Sequence, residues 1–588
     1  MRRITPRTCL WPLVGCVFGA FVLSLGLTFR SNHHCYAATC GEWDFSLQAR
    51  LHVVVWYAWL SFSIALLGLR AFQPSVRRLT SLSLGWHVPI IGKTLRVGGL
   101  LLVLWILSLY GIILGIWWIR LRDYFEDRGK SLPGNTIVAA VALTGHLADV
   151  TMGMVLLPVS RHSALVSFFK LSPATTYSFH MFQAYVLFAL VAIHGSLYAD
   201  WASIWDARFR PVLPILNPTY YYHETWPGNR SSLGIWRASL IFTGIASSLI
   251  MGVIFFSSLP VVRRKYFNVF YFCHLLAILA VVIVCLHAST MFYCTLPGLA
   301  MWLLDWSMRF VELREKLDSK LTALGNGWYS LKLPLPRKRL SGCACHSPLA
   351  HFHIHHSDSS IIEIHPFTTI THLASKKAMK TDQSSIEIEF LFREMPARRA
   401  GKRSQWTNKV GSLVDVEALR VPPVQDGEES PTSNAMEQET STIDLSVATT
   451  MRLEGPYFTP VNPEQYETVI CIVAGTGVSG ALAIAAAFQS STVGSLWKRC
   501  VIIWTVRETD FVDLPNITGM DREGLEFKVH KTGKGLPRLD VRTALVDICG
   551  EKTSSAWCYI SGPNAFISAA ERACNQVRGL EMFAARWG

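Results

Sequence analysis

Charge is scarce in this chain. Only 16% of its 588 residues are Asp, Glu, Lys or Arg. Up to about residue 305 the sequence is a series of long apolar runs, and beyond that it reads as an ordinary soluble protein. Zinc-type CxxC pairs are absent. The 14 cysteines are scattered, so neither a zinc fold nor a dense disulfide scaffold is indicated. No acid–base constellation of the hydrolase kind is present. Acidic residues are the minority, 41 against 55 basic, which leaves a net charge of +14. Such an excess suits nucleic acid in principle. Here, however, the surplus sits in short loops between apolar runs, such as Arg263-Arg264-Lys265, where the positive-inside rule places it. Nucleic-acid binding is not expected.

What the chain does have is apolar length. A bilayer span takes about 20 apolar residues, and candidates lie at 9–28, 51–72, 97–119, 136–157, 178–198, 235–258, 268–289 and 291–307. The first has no small-x-small cleavage site and reads as an anchor in preference to a signal peptide. Basic segments at 1–7, 76–96, 160–170 and 262–267 define one side, taken as the cytosol. The loops at 30–50, 120–135 and 199–234 then face outward. They carry Cys35 and Cys40, a pair able to form a disulfide there, and an N-x-S glycosylation sequon at Asn229. The last span returns the chain to the cytosol and delivers the soluble half there.

Two spans carry histidines at matching depths: His180 and His194 in one, His274 and His287 in the other. At 1.5 Å per residue the separations are about 21 and 19.5 Å. A lone intramembrane histidine is commonly a helix–helix contact. Ionisable groups in a membrane are nonetheless costly and usually functional, and two matched pairs are hard to obtain by chance. Imidazole is a good axial ligand of haem iron. Two bis-histidine haems, His180 with His274 inside and His194 with His287 outside, satisfy all four side chains. Fourteen helical steps return within about 40° of the same face, but thirteen miss by about 140°. The second span therefore requires a π-bulge, another distortion, or haems approached from different sides. His146 and His162 are read as structural.

The soluble half carries three short motifs: His365-Pro366-Phe367-Thr368, Glu454-Gly455-Pro456-Tyr457, and an apolar strand leading into Gly475-Thr476-Gly477 and Gly480. Glycines let the backbone approach a pyrophosphate, and the following helix N-terminus favours its charge. The next strand ends near Arg507, placed to meet a 2′-phosphate, which points to NADPH over NADH. A later strand–turn–helix has Gly562-Pro563 at its turn. Cys343, Cys345, His346, His351, His353, His355 and His356 suggest a soft metal site, but their alternation also suits a barrel strand with histidines on one face. The strand is the reading adopted, with a regulatory metal site as the alternative. Residues 393–450, charged and rich in Ser, Thr and Pro, read as a flexible insertion.

In this order, the two His-bearing spans, HPFT, EGPY, the glycine turn and the late Gly-Pro turn resemble the ferric reductase and NADPH oxidase superfamily. The likeness is greatest to fungal ferric/cupric-chelate reductases and covers roughly residues 95–588. It implies a six-helix haem core behind added N-terminal helices, followed by a module like ferredoxin–NADP reductases: an antiparallel FAD-binding β-barrel and an α/β nucleotide-binding domain. The expected boundaries are 1–95 for N-terminal helices, 96–310 for the haem domain, 311–460 for the barrel and 461–588 for the NADPH domain. The resemblance assigns flavin contacts to His365, Pro366, Phe367 and Thr368. It implies electron flow from cytosolic NADPH through FAD and two haem b groups to Fe(III) or Cu(II) chelates outside, in the plasma membrane, supporting iron or copper uptake. An oxidase making superoxide is the first alternative, and a membrane scaffold without turnover is the second. Two departures motivate the scaffold. Ser561 stands where relatives carry Cys, and Phe583 and Trp587 replace a tighter terminal aromatic motif. Asp200, Asp206, His223 and Glu224 in the outer loop would attract a metal, and Arg208 and Arg210 an anionic chelate.

Overall fold

The structure, a computed structural model, describes residues 6–30, 45–88, 93–127, 135–205 (without 163, 170 and 172), 234–340, 347–356, 365–373, 384–394, 406–418 and 446–585 (without 492–494, 515–521, 551 and 554). Cys35, Cys40, Asn229, Asp206, Arg208, Arg210, His223, Glu224, Cys343, Cys345, His346 and Trp587 lie outside the described residues. The chain divides into a helical unit, Arg7–Leu171 with Thr175–Asp305, and a sheet-rich unit whose main part is Trp306–Gly588.

The helical unit contains α1 (Pro6–Arg30), α2 (Ser46–Phe72), α3 (Pro74–Ser81), α4 (Val97–Asp127), α5 (Asn135–Leu156), α6 (Pro173–Trp205) and α7 (Gly234–Ser258). Then come α8 (Phe267–Leu275), α9 (Ala277–His287) and α10 (Ser289–Arg314). A short hairpin, β1 (Ser83–Val88) with β2 (Lys93–Arg96), precedes α4. Among the described residues, five stretches are long and apolar enough to cross a membrane: Ser46–Phe72, Val97–Tyr124, Thr136–Leu156, Thr175–Asp200 and Val269–His287. On α4, Leu109 and Ile113 are buried while Leu104, Leu107 and Ile119 are more than half exposed. In water that face would be a liability. In lipid it is the natural outer surface, because acyl chains are as apolar as Leu.

The span at 268–289 is broken. Between α8 and α9 the chain turns at Leu276, whose N–H bonds to the Cys273 carbonyl, a three-residue step in place of four. The local tightening falls between His274 and His287 and is a departure from regular α-helix within their 13-residue interval.

The second unit has two sheets. Six antiparallel strands, β3 (Leu317–Gly325), β4 (Trp328–Pro336), β5 (Ala350–His356), β6 (His365–Thr368), β7 (Ser385–Arg393) and β8 (Ser446–Phe458), run in the order β6-β5-β8-β3-β4-β7. The histidine-rich stretch is β5. Phe352 and Ile354 are fully buried in the barrel core, and the histidines alternate with them. Five parallel strands, β9 (Thr468–Ala474), β10 (Arg499–Arg507), β11 (Leu525–Thr532), β12 (Ala556–Ser561) and β13 (Glu581–Ala585), run in the order β11-β10-β9-β12-β13. Arg393 and Asp510 bind across the two sheets in a bidentate pair at 2.6 and 2.7 Å. The Trp328 indole N–H donates to the Asp510 carbonyl beside them.

One expectation needs correction. Within 393–450, read as flexible, Trp406–Ala418 forms a helix, α11. Trp406, Val410 and Val414, four residues apart, are each 2% exposed and pack into the barrel core. Average composition over the insertion concealed this short apolar stripe. Strand β8 likewise begins inside the stretch, at Ser446.

Two outcomes follow for stability. Trp406→Ala is expected to destabilise the sheet-rich unit by about 3–5 kcal/mol, seen as an earlier unfolding transition in denaturant. His372 donates to or accepts from Ser490 Oγ at 2.9 Å, and burial pulls its pKa down to about 4. The unfolded imidazole takes up a proton at higher pH than the folded one, so stability is lost as pH falls from about 6.5 towards 4. His372→Gln should flatten that part of a melting-temperature profile.

Candidate functional site

A neutral imidazole can bind a metal through one nitrogen only if the other keeps its proton, and that proton needs an acceptor. Helix α5 supplies two. The His180 Nδ1 lies 3.0 Å from the Val155 carbonyl, and the His194 Nδ1 lies 2.8 Å from the Val141 carbonyl. Val141 and Val155 are separated by the same 14 residues as His180 and His194, so one helix seats both rings of its antiparallel neighbour. Each bond places the proton on Nδ1 and leaves Nε2 as the ligand nitrogen. Helix α7 stands in the same relation to the other pair. Ser258 Oγ and Thr243 Oγ1 lie 3.4 Å from the Nδ1 atoms of His274 and His287. A Cβ at Gly244 would come within 2.9 Å of the His287 ring, and one at Gly145 within 3.4 Å of the His194 ring. Glycine gives both rings room.

The histidines come together across helices as pairs. His180 and His274 have ring centroids 6.3 Å apart at 77°, and His194 and His287 are 6.3 Å apart at 86°. That gap is too wide for ring contact. It suits two imidazoles on opposite faces of one metal, at roughly 2 Å per bond plus the half-width of each ring. The residues present therefore fit two bis-histidine haems. His146 and His162 join neither pair: His146 contacts Asp149, and the His162 backbone N–H donates to Asp305.

In the parallel sheet, neighbours β10 and β12 flank β9, where the strand order reverses and ligands of such sheets bind. Gly475 to Gly477 form a single 3₁₀ turn at the end of β9, leading into α12 (Val478–Ser490). Gly475 has φ +55°, and its carbonyl accepts the Trp504 indole N–H. A Cβ at Gly477 would stand 2.8 Å from both the carbonyl and hydroxyl oxygens of Ser561. Gly562 has φ +149° and lies against Ala474. The two glycine turns thus meet backbone to backbone, and Thr476 sits between their glycines. Gly480 abuts the Tyr559 hydroxyl, so its role is helix–strand packing. Arg507 ends β10 exposed, and Pro563 occupies the N-cap position of α13 (Asn564–Gln576). This cradle fits a dinucleotide phosphate.

In the barrel, HPFT is the edge strand β6, pairing with β5 in the register His351–Thr368 to Ile354–His365. Pro366 is exposed, and Phe367 and Thr368 are half-buried. An edge strand with a proline fits a flat ligand laid against it. The glutamate of EGPY does something its sequence does not announce. Glu454 is fully buried, takes a bidentate pair from Arg309 at 3.1 and 3.2 Å, and lies 3.2 Å from His355 Nε2. Tyr457 lies between His351 and His353 at 5.5 and 5.6 Å. Among the described residues, these histidines do not converge on a metal position: His355 goes to Glu454 and His356 to Thr449.

Residues 144–285, which include His180, His194 and His274, match the family described as ferric reductase like transmembrane component. These matches support the ferric reductase and NADPH oxidase superfamily for this chain. With helices long and apolar enough to cross a membrane, the family match supports an integral membrane protein. Ferric reduction oxidase 2 of Arabidopsis thaliana is 22% identical over 48% of this chain and 33% of its own length. Ferric reduction oxidase 8, mitochondrial, of the same plant is 24% identical over 62% and 42%. Ferric reduction oxidase 7, chloroplastic, is 22% identical over 70% and 50%. The chain thus spans a third to a half of these relatives. They are plant proteins, so they support the superfamily and not its fungal branch. Among solved structures, the ferredoxin reductase of carbazole 1,9a-dioxygenase aligns with 46% of this chain and 67% of its own, at 17% identity and a TM-score of 0.29. A likeness that low adds nothing to the strand order above.

Gly477→Ala would drive a methyl into Ser561. It is expected to raise the KM for the nicotinamide nucleotide at least about tenfold, the effect of 1.4 kcal/mol, while leaving haem absorption unchanged.

Proposed function

We propose that the protein is a transmembrane metalloreductase that uses cytosolic NADPH, with FAD and two haem b groups as cofactors, to reduce ferric or cupric chelates on the outer side of the plasma membrane. Uptake of iron or copper is the purpose this serves. The observation that carries the reading is the pair of matched histidine pairs, each 6.3 Å across and each backed by the carbonyls of α5.

His180 with His274 would hold the inner haem, and His194 with His287 the outer one. His365, Pro366, Phe367 and Thr368 would hold the flavin. Gly475, Thr476, Gly477, Gly562 and Pro563 would hold the nucleotide, with Arg507 placed for a 2′-phosphate and Gly480 seating the helix on its strand. Those residues would hold groups whose chemistry, when bound, would be conversion of a two-electron hydride into single electrons at the flavin and one-electron carriage at haem iron. The protein's own part is to fix tautomers, exclude water and hold positions. Val155 and Val141 keep each Nδ1 protonated so that Nε2 is free. Ser561, where a cysteine is usual beside the nicotinamide, offers a hydroxyl in place of a thiol and favours slower hydride transfer.

The deciding measurement is an anaerobic absorption spectrum of the detergent-purified protein before and after NADPH. Low-spin haem bands that NADPH reduces support the reading. Bands reduced only by dithionite favour a scaffold without turnover, and absent bands would return the four histidines to packing. His287→Ala is expected to lower bound haem to about half, since each pair serves one iron. Ferric-chelate reduction should persist without oxygen and resist superoxide dismutase; inhibition by the dismutase would instead indicate an oxidase.

A further inference from the structure

The helical unit holds a second polar cluster that shares no residue with the paired histidines. His52 is fully buried on α2, and Asp149 is 1% exposed on α5. His146, one turn before Asp149, brings Nδ1 to 3.1 Å from the carboxylate. Trp117 of α4 stacks on the His146 ring with centroids 3.5 Å apart, and its indole N–H donates to His52 Nδ1 at 2.9 Å. Cys294 of α10, also buried, places Sγ 3.4 Å from His52 Nε2. One ligand atom from each of His52, His146 and Asp149 lies within 4.8 Å of the other two.

Hydrogen bonding accounts for this arrangement only piecewise. A carboxylate inside a membrane is expensive, and a neutral imidazole does not cancel its charge. Two imidazoles and a carboxylate from two helices converge on one buried place, with the Cys294 thiol beside His52, which hydrophobic packing would not select. A dication would neutralise the carboxylate and use the three converging donors.

We propose that His52, His146 and Asp149 bind one divalent transition-metal ion, with Cys294 within reach as a fourth ligand. The donors are nitrogen, oxygen and sulfur, which suits borderline ions. Calcium and magnesium prefer all-oxygen sites. Zinc accepts four mixed ligands of this kind in tetrahedral array, and copper competes by affinity. Because Nδ1 accepts from the indole, Nε2 carries the His52 proton in this arrangement; coordination through Nε2 moves that proton to Nδ1, keeps the ring neutral and releases the indole hydrogen bond. Trp117 covers His146 with its face. The ion joins α2, which precedes the stretch matched by the reductase family, to α5, which that stretch includes in part.

The test uses the full-length, haem-loaded protein in detergent, stripped with chelator and reloaded with Zn²⁺ alone, the metal being counted by mass spectrometry apart from haem iron. About one zinc per chain is expected, as for a single mononuclear site. Asp149→Asn and His52→Gln should abolish it. Zinc content equal in wild type and both ligand variants overturns the proposal. Should those variants fail to fold, as judged by haem absorption, Co²⁺ loading of the wild-type protein decides. A visible tetrahedral d–d spectrum supports the site, and its absence overturns it.

Discussion

A membrane offers no water, so every imidazole placed in it must find its hydrogen-bond partner within the protein. Much of the helical unit's arrangement follows from that constraint. The Nδ1 atoms of His180 and His194 are satisfied by carbonyls of one neighbouring helix at one repeated interval. At both bonds helix α5 contributes backbone carbonyls, and Thr144 Oγ1 also lies 3.4 Å from His194 Nδ1. Its role sets which residues must stay small: Gly145 lies against His194, as Gly244 does against His287. The rings are thus fixed by main-chain geometry that any residue provides and by glycines that none can replace without pressing on the ring.

The same economy governs the nucleotide domain. Gly477 and Ser561 approach so closely that position 477 could carry no side chain towards Ser561. A phosphate brought there would meet backbone N–H groups at the start of α12, where the helix dipole adds its share. Gly480 is the third glycine of the motif, yet its service is to packing against Tyr559. One motif therefore holds residues of two kinds, two that make room for a ligand and one that lets a helix settle on its sheet.

What the sequence disclosed and what it concealed divide along the range of the interaction. The histidine intervals were legible because they are local and their arithmetic is that of a helix. The same arithmetic required a distortion before His287, although its position at Leu276 depends on packing and not on any proline or glycine there. Strand β5 was legible from alternation. Helix α11 was not, because three apolar positions in a 13-residue piece vanish into a charged, Ser-rich average. The link from Arg309 to Glu454 spans 145 residues, and no local pattern reports such a pairing. The His52 cluster was hidden for the same reason. His146 has a carboxylate three residues on, which sequence could have offered, but His52 and Cys294 reach it only through the fold.

The Arg309–Glu454 pair also changes what EGPY means in this chain. A fully buried ion pair is weak evidence for added stability, since desolvation offsets most of the attraction. Losing one partner is another matter, because the survivor is left charged and unsolvated. Both oxygens of Glu454 are engaged, by Arg309 and His355, and the neighbouring Gly455 N–H is taken by Glu312. Arg339 reinforces the same junction by donating to the carbonyls of Leu453 and Glu312 and to the Glu315 carboxylate. Burial pushes the Glu315 carboxyl up, but Lys338 and Arg339 together outweigh it and hold the group below its usual range. The segment is therefore closed to a ligand at its glutamate. Its charge is spent on fixing β8 to the last turns of α10, and that fixed strand in turn determines where β5, and the HPFT edge hydrogen-bonded to it, can lie.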